Sequence, residues 1–277
     1  MMRDEHILVD PVNERTLSLV IAAALHTLHP KAGVRVEHSL DDGLYCEFDN
    51  IRCDDALRAE MEAKVTEIID QKQRIERRYM DREAAAQLFA RAGMEDKAAN
   101  IRHSRDARCP IDRLCGLDDH VYGDLPPHAG ILPRVYVRQM MHGLWFGFHG
   151  SPKPQDKLLA VYDAFERWGR RLGINNVPQL NAAAKQEGID TLIAMSEAQI
   201  ERQLVKLADT IVSMQPLRRF VLISGPSSAG KTTFSRRLKI HLSILGFQPQ
   251  ALWMGGFFPG RWGYPRLGGG SCDLVSP

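Results

Sequence analysis

The run Gly225-Pro226-Ser227-Ser228-Ala229-Gly230-Lys231-Thr232-Thr233 constrains the fold of this chain more than any other stretch. It fits the pattern G-x-x-x-x-G-K-[ST], in which a glycine-rich turn joins a strand to the start of a helix and cradles phosphate. Its flanks have the required character. Phe220-Val221-Leu222-Ile223-Ser224 is a short apolar run of the kind that makes a buried parallel strand. Beyond the motif, Phe234, Leu238, Ile240, Leu242 and Leu245 recur at helical spacing, and Gly246 supplies a stop. The pattern predicts strand, loop and helix, the opening of an α/β P-loop domain.

Each residue type in the motif has a physical reason. Gly225 and Gly230 permit backbone angles and a close approach that a Cβ would block. The loop amides, through Ser227, Ser228, Ala229 and Gly230, are then free to point inward as a nest for phosphate oxygens, reinforced by the positive end of the helix. Lys231 is expected to reach the β- and γ-phosphates, Thr232 to place its hydroxyl on Mg²⁺, and Thr233 to support the phosphates one residue on. The motif specifies a nucleoside triphosphate and is silent about the acceptor.

A chain of 277 residues has room for two domains and a linker. Net charge is only +2, so no strong field argues for nucleic acid or an anionic membrane as partner. The start, Met1-Met2-Arg3-Asp4-Glu5-His6, is polar and lacks the apolar core of a signal peptide. No apolar run approaches the ~20 residues of a membrane span. The simplest expectation is a soluble cytoplasmic protein. The five cysteines form no C-x-x-C pair. Cys109 and Cys115, flanked by His103 and His120, are the one metal-ligand grouping worth following, though their spacing is loose for zinc.

Upstream of the motif the texture changes twice. Leu17, Val20, Ile21, Ala24, Leu25 and Leu28 predict an apolar helix over 16–28, ended by Pro30. Residues 33–38 and 43–48 alternate like two half-buried strands around Asp41-Asp42-Gly43. Leu57, Met61, Val65, Ile68 and Ile69 mark one face of a long helix from Asp55, and Asp81 is placed to cap another over 82–92. Residues 109–150 are rich in Pro, Gly and aromatics, with strands expected at 135–137 and 144–148. The stripes Leu158, Val161, Tyr162, Phe165, Trp168 and Ile200, Leu204, Leu207, Ile211, Val212 predict helices whose apolar faces are packed. The expected organisation is an α+β domain over 1–150, a helical connector over 151–216 and a P-loop segment over 217–277.

Several segments together resemble a family of bacterial two-part nucleoside kinases. In that family a domain like the second N-terminal domain of threonyl-tRNA synthetases precedes a uridine kinase/phosphoribulokinase-like P-loop domain. The matching residues are Val34-Arg35-Val36-Glu37-His38-Ser39-Leu40, Gly43-Leu44-Tyr45-Cys46-Glu47, Glu95-Asp96-Lys97, Tyr122-Gly123, Trp168-Gly169-Arg170, Leu172-Gly173 with Asn176-Val177, and the P-loop with its Pro and two Ser. The resemblance implies transfer of the γ-phosphoryl group of ATP, with Mg²⁺, to a nucleoside hydroxyl, uridine or a relative, with Lys231 in the catalytic role. It leaves room for a homo-oligomer.

Two departures limit that implication. The family carries an acidic pair before two aromatic residues after the strand expected near 250–254. This chain has Gly255-Gly256-Phe257-Phe258, and glycine cannot accept a proton or bind a metal. The stretch from Gly225 to Pro277 is also short for a covered parallel sheet, which takes well over ~100 residues. The chain is therefore expected to be a fragment without appreciable kinase activity.

The competing expectation is a non-catalytic ligand- or tRNA-binding module built on the synthetase-like domain. The synthetase relatives edit with a His-x-x-x-His helix and a Cys/His pair. Here the corresponding helix runs from Arg15 through Leu25 without histidine, and the second segment reads Asp119-His120-Val121-Tyr122-Gly123-Asp124-Leu125. His120 and His128 fall near it but out of register, which argues against hydrolytic editing.

Overall fold

The structure is a computed structural model that describes residues 10–153, 155–185 and 188–252. The chain divides into two compact units, Met1–Ala182 and Ala183–Pro277.

The first unit is organised by an apolar helix, α1 (Pro11–Leu28). Asp10 caps it by accepting from the Val12 amide at 2.9 Å, and Pro11 occupies the first turn, where a missing N–H costs nothing. Capping starts the helix earlier than its apolar periodicity alone suggests. Leu17, Leu19, Val20, Ile21, Ala23, Ala24 and Leu25 are all buried. Each of the larger aliphatics contributes about 2 kcal/mol of burial free energy.

Three sets of neighbours provide that burial. The hairpin β1 (Gly33–Leu40) and β2 (Gly43–Asp49) pairs antiparallel, with Asp41 in the left-handed region at φ 56° in its turn. β2 continues onto β7 (Gly143–Gly147), and β7 onto β6 (Tyr136–Met140), giving an antiparallel sheet ordered β1-β2-β7-β6. Helix α2 (Asp55–Asp70), capped by Asp54 at 3.1 Å from two amides, turns Leu57, Met61, Val65, Ile68 and Ile69 into the same core. Leu114 and Leu117 close it from a second sheet.

That second antiparallel sheet is ordered β3 (Glu76–Asp81), β4 (Arg108–Leu114), β5 (Leu117–Asp119). Helices α3 (Arg82–Arg91) and α4 (Glu95–His103) cover one face of it through Ala85, Ala86, Phe89, Ala98 and Ile101 on Cys109 and Ile111. Asp81 stands at the cap position of α3 but makes no capping hydrogen bond through its side chain.

Helix α5 (Asp156–Leu172) follows, and α6 (Val177–Lys185) runs across the division between the units. The packed stripe expected on α5 is formed only in part, at Tyr162. Val161 is 63% and Phe165 64% exposed, and Leu158 is also exposed. The helix instead turns Leu159 and Tyr162 toward Leu40, Tyr45 and Trp145. Leu159 lies one residue, about 100°, around the helix from Leu158, so seating on that face leaves the other apolar stripe outward.

In the second unit, α7 (Ile189–Ser213) pairs with α8 (Lys231–Ile244) through Leu204, Ala208, Ile211, Leu238 and Leu242. The strand expected over residues 220–224 is not formed. These residues belong to no sheet, with Phe220 81% and Leu222 91% exposed. A strand needs a neighbour for its backbone N–H and C=O groups, and among the described residues this unit holds no strand to pair with. Of the expected α/β P-loop segment, the described residues hold the turn at 225–230 and the helix that follows it, and no sheet. The second strand expected near 250–254 and the Gly255-Gly256 pair lie largely or wholly outside the described residues.

Close backbone approach in the four-stranded sheet gives a direct test. A Cβ at Gly143 would overlap the Cys46 carbonyl oxygen, whereas a Cβ at Gly150 would meet nothing within 4 Å. Gly143→Ala should lower unfolding free energy by about 1–3 kcal/mol, as overpacking does. Gly150→Ala should stay within about 0.5 kcal/mol of the parent by urea denaturation followed by circular dichroism.

Candidate functional site

Residues 225–233 form a turn and helix start of the expected kind. Ser228 and Gly230 take positive φ, 61° and 77°, and the Ala229 amide donates to the Pro226 carbonyl at 3.3 Å. Gly230 is the cap of α8 and offers no side chain to its amides. The first-turn N–H groups of Lys231, Thr232 and Thr233 have no intrahelical acceptor, as at any helix start, and carry the positive end of the helix dipole. Ser227, Ser228, Ala229, Thr232 and Thr233 are exposed, with Gly225 and Gly230 on the same open surface.

Lys231 is the exception, half-buried and folded back over its own loop. Its Nζ donates to the Gly225 carbonyl at 2.7 Å and the Pro226 carbonyl at 2.6 Å. The ammonium is thereby held across the mouth of the turn. Loop amides, a helix N-terminus, an ammonium and the Thr232 hydroxyl are a donor set that suits a polyphosphate and its cation. The helix that presents them is clipped to α7 by Glu201, which accepts from Arg237 Nε at 2.5 Å and pairs with His241 Nε2 at 2.6 Å. The His241 contact, opposed by burial and helped by Arg237, holds the Glu201 carboxyl below its usual range.

The first unit brings together the two segments that the synthetase resemblance singles out, but with different chemistry. Arg15 at the start of α1 lies over Gly123, where a Cβ would come 2.6 Å from the guanidinium carbon, and Arg15 Nη1 donates to the Asp124 carbonyl at 3.4 Å. The loop that carries Gly123 is braced by a buried ion pair. Asp112 is 0% exposed and accepts from Arg77 Nε at 2.7 Å and Nη2 at 3.0 Å. Asp112 also accepts from the Val121 amide, and Arg77 donates to the Val121 carbonyl, each at 3.4 Å. The Asp112 hydrogen bond raises Arg77 further above its ordinary value against the opposing effect of burial.

Of the histidines near this loop, His120 is engaged through its ring, whereas His128 Nδ1 is buried without a hydrogen-bond partner among the described residues. His120 Nδ1 lies 2.7 Å from the Pro110 carbonyl, and its ring stands edge-on to Tyr122 at 4.5 Å. His128 sits on an isolated bridge with Arg74. The Cys109, Cys115, His103 and His120 grouping does not converge. Cys109 lies in the core under α3 and α4, Cys115 sits in the β4–β5 turn, and His103 Nδ1 contacts the Ala99 carbonyl at 2.8 Å. Burial pushes both thiols above their ordinary values. Among the described residues no three His, Cys, Asp or Glu are grouped to hold a metal ion, and no helix is long and apolar enough to cross a membrane.

Comparison with curated proteins returns threonine–tRNA ligases. That of Paramagnetospirillum magneticum is 35% identical over 101 residues, covering 35% of this chain and 15% of the ligase. That of Halorhodospira halophila is 28% identical over 171 residues, 56% of this chain and 27% of the ligase. The Nitratidesulfovibrio vulgaris protein is 28% identical over 134 residues, 48% and 21%. The chain thus matches about a quarter or less of the length of these relatives. No protein-family model matches the chain. The similarity is weak homology to the N-terminal region of threonyl-tRNA synthetases, and the mixed α/β build with two small antiparallel sheets is consistent with it. The uridine kinase half of the resemblance finds no counterpart in these relatives.

Arg15 and the Arg77–Asp112 pair stand at this candidate place, a position that the sequence reading did not give them. Arg77 and Asp112 lie on different strands and show no shared motif. Breaking the pair leaves a buried charge unmatched. Arg77→Ala, which strands the fully buried Asp112 carboxylate, should therefore cost about 3 kcal/mol in equilibrium unfolding and expose the loop around Val121 to faster amide exchange.

Proposed function

We propose that this chain is a non-catalytic ligand-binding module of synthetase-like build that carries a nucleotide-phosphate loop in its second unit. The observation that carries the first half is the meeting of Arg15 with Gly123 and Asp124. The segments that face each other there present a guanidinium and the Asp124 backbone carbonyl, and no three metal-ligating side chains are grouped among the described residues. Such a place can bind and orient a ligand through hydrogen bonds and charge. The weak similarity to threonyl-tRNA synthetases supports the same reading. The net charge of +2 favours a small ligand over tRNA.

A second reading is favoured by the turn at 225–233. Its donors suit the β- and γ-phosphates of ATP, with Lys231 released from the Gly225 and Pro226 carbonyls onto the phosphates and Thr232 on Mg²⁺. This reading places the chain in an ATP-dependent nucleoside kinase lineage with a uridine-like acceptor. The P-loop pattern and the resemblance support it, and Gly255-Gly256, where the acceptor-side acids would stand, argues against turnover by this chain.

Mg·ATP binding tests the loop that both readings share, and turnover separates them. Mg·ATP should bind the full chain, and Lys231→Ala should weaken it by about 10–100-fold, the worth of charge-assisted hydrogen bonds to phosphate. Uridine incubated with Mg·ATP and the chain should remain unphosphorylated; Lys231-dependent product would establish the kinase reading. Labelled tRNA should show no tight binding with a steep salt dependence, and such binding would make RNA the ligand of the first unit.

A further inference from the structure

Helix α5 rests on the first unit through a narrow footprint. None of its residues is buried, and Leu159 and Tyr162 are the side chains it packs against Leu40, Tyr45 and Trp145. Tyr162 stands edge-on to His38 of β1, ring centroids 3.7 Å apart, and to Tyr45 of β2 at 6.3 Å. His38 Nε2 and the Tyr162 hydroxyl are buried without a hydrogen bond of ordinary geometry. The helix is tethered beyond both ends, by the Lys153 amide on Asp41 at 3.2 Å and by Asn176 Nδ2 on Asp96 at 2.8 Å.

Carboxylates from three elements gather around this footprint. β1 contributes Glu37, β2 contributes Glu47, and α5 contributes Glu166, which feels the charge of both. β7 supplies only the uncharged Trp145. The cations present are partly committed. Arg35 of β1 donates to Glu37 at 2.9 Å and Glu47 at 3.4 Å and also pairs with Asp49, while Arg170 of α5 and His38 face Glu166. Tyr45 donates to Glu47 at 2.9 Å.

We propose that the seating of α5 on the β1–β2 hairpin is proton-linked: tight while Glu166, one helical turn beyond Tyr162, holds a proton, looser when it is charged beside Glu37 and Glu47. Burial, then the Glu37 and Glu47 charges, push Glu166 above the usual carboxylate range, and Arg170 and His38 oppose this without cancelling it. Burial first, then the glutamates, also raise both phenols, so Tyr45 and Tyr162 stay neutral through the same window. The direction follows from Glu166 being raised in the seated state. Its contribution is complete below the free glutamate value of about 4.3 and is lost as pH rises through the raised value. Acid therefore stiffens the helix that leaves the synthetase-like body.

Hydrogen exchange with mass spectrometry on the full chain, corrected for intrinsic exchange rates, tests this. Protection of α5 amides should fall between about pH 4.5 and pH 7, by up to about tenfold for each unit by which Glu166 is raised. Protection of α1, deep in the core, should hold steady over the same range and serves as the internal control. Glu166→Gln should keep α5 protected at both pH values, and Glu37→Gln should flatten the dependence in the same sense. Equal α5 protection at both pH values in the parent chain, or a dependence that survives in Glu166→Gln, would overturn the proposal.

Discussion

Burial of α1 is the constraint from which the first unit follows. A helix carrying Leu17, Leu19, Val20, Ile21, Ala23, Ala24 and Leu25 with almost no exposure cannot lie on a surface. It requires cover from several directions, and the chain provides it with one sheet, a second helix and the turn of another sheet. The same demand fixes the site geometry. With the apolar turns of α1 locked inward, its first turn emerges at the rim, and Arg15 meets the loop that follows β5.

Charges in this protein divide by what surrounds them. The Arg77–Asp112 pair is buried, and it braces the loop at Val121 from both its N–H and its C=O. Exposed pairs such as Arg52–Asp54 and Arg74–Glu76 sit in solvent and contribute little. The Glu37–Glu47–Glu166 group is a third case, like charges brought near one another by an apolar footprint. Glu37 and Glu47 pair with Arg35, and burial together with their charges raises Glu166.

Much of the core was legible in the sequence because one element reports its own burial. The buried positions of α2 are the five apolar residues spaced along it, and the hairpin announces itself through alternation and Asp41-Asp42-Gly43. The strand β3, Glu-Arg-Arg-Tyr-Met-Asp over Glu76–Asp81, was not legible, since its mostly exposed, charged residues carry no apolar alternation and its pairing comes from β4. Nothing local to Arg77 and Arg78 announces Asp112 and Asp118, the partners that the fold sets opposite them. The candidate loop behaves the other way round. Its local conformation at Ser228, Gly230 and Lys231 follows from the motif, but a strand over 220–224 requires neighbours that no local pattern can supply.

The two halves of the account make different demands on one experiment. If residues 225–233 are a phosphate cradle and the synthetase-like body holds no nucleotide, ligand contact must be confined to the loop. Amide chemical-shift mapping of the full chain on titration with Mg·ATP measures this most directly. The account predicts shifts at residues 225–233 and at the Lys231 side chain as it leaves the Gly225 and Pro226 carbonyls, with Arg15 and residues 119–124 unmoved. A spectrum unchanged at saturating Mg·ATP, or shifts centred on Arg15 and residues 119–124, would contradict it.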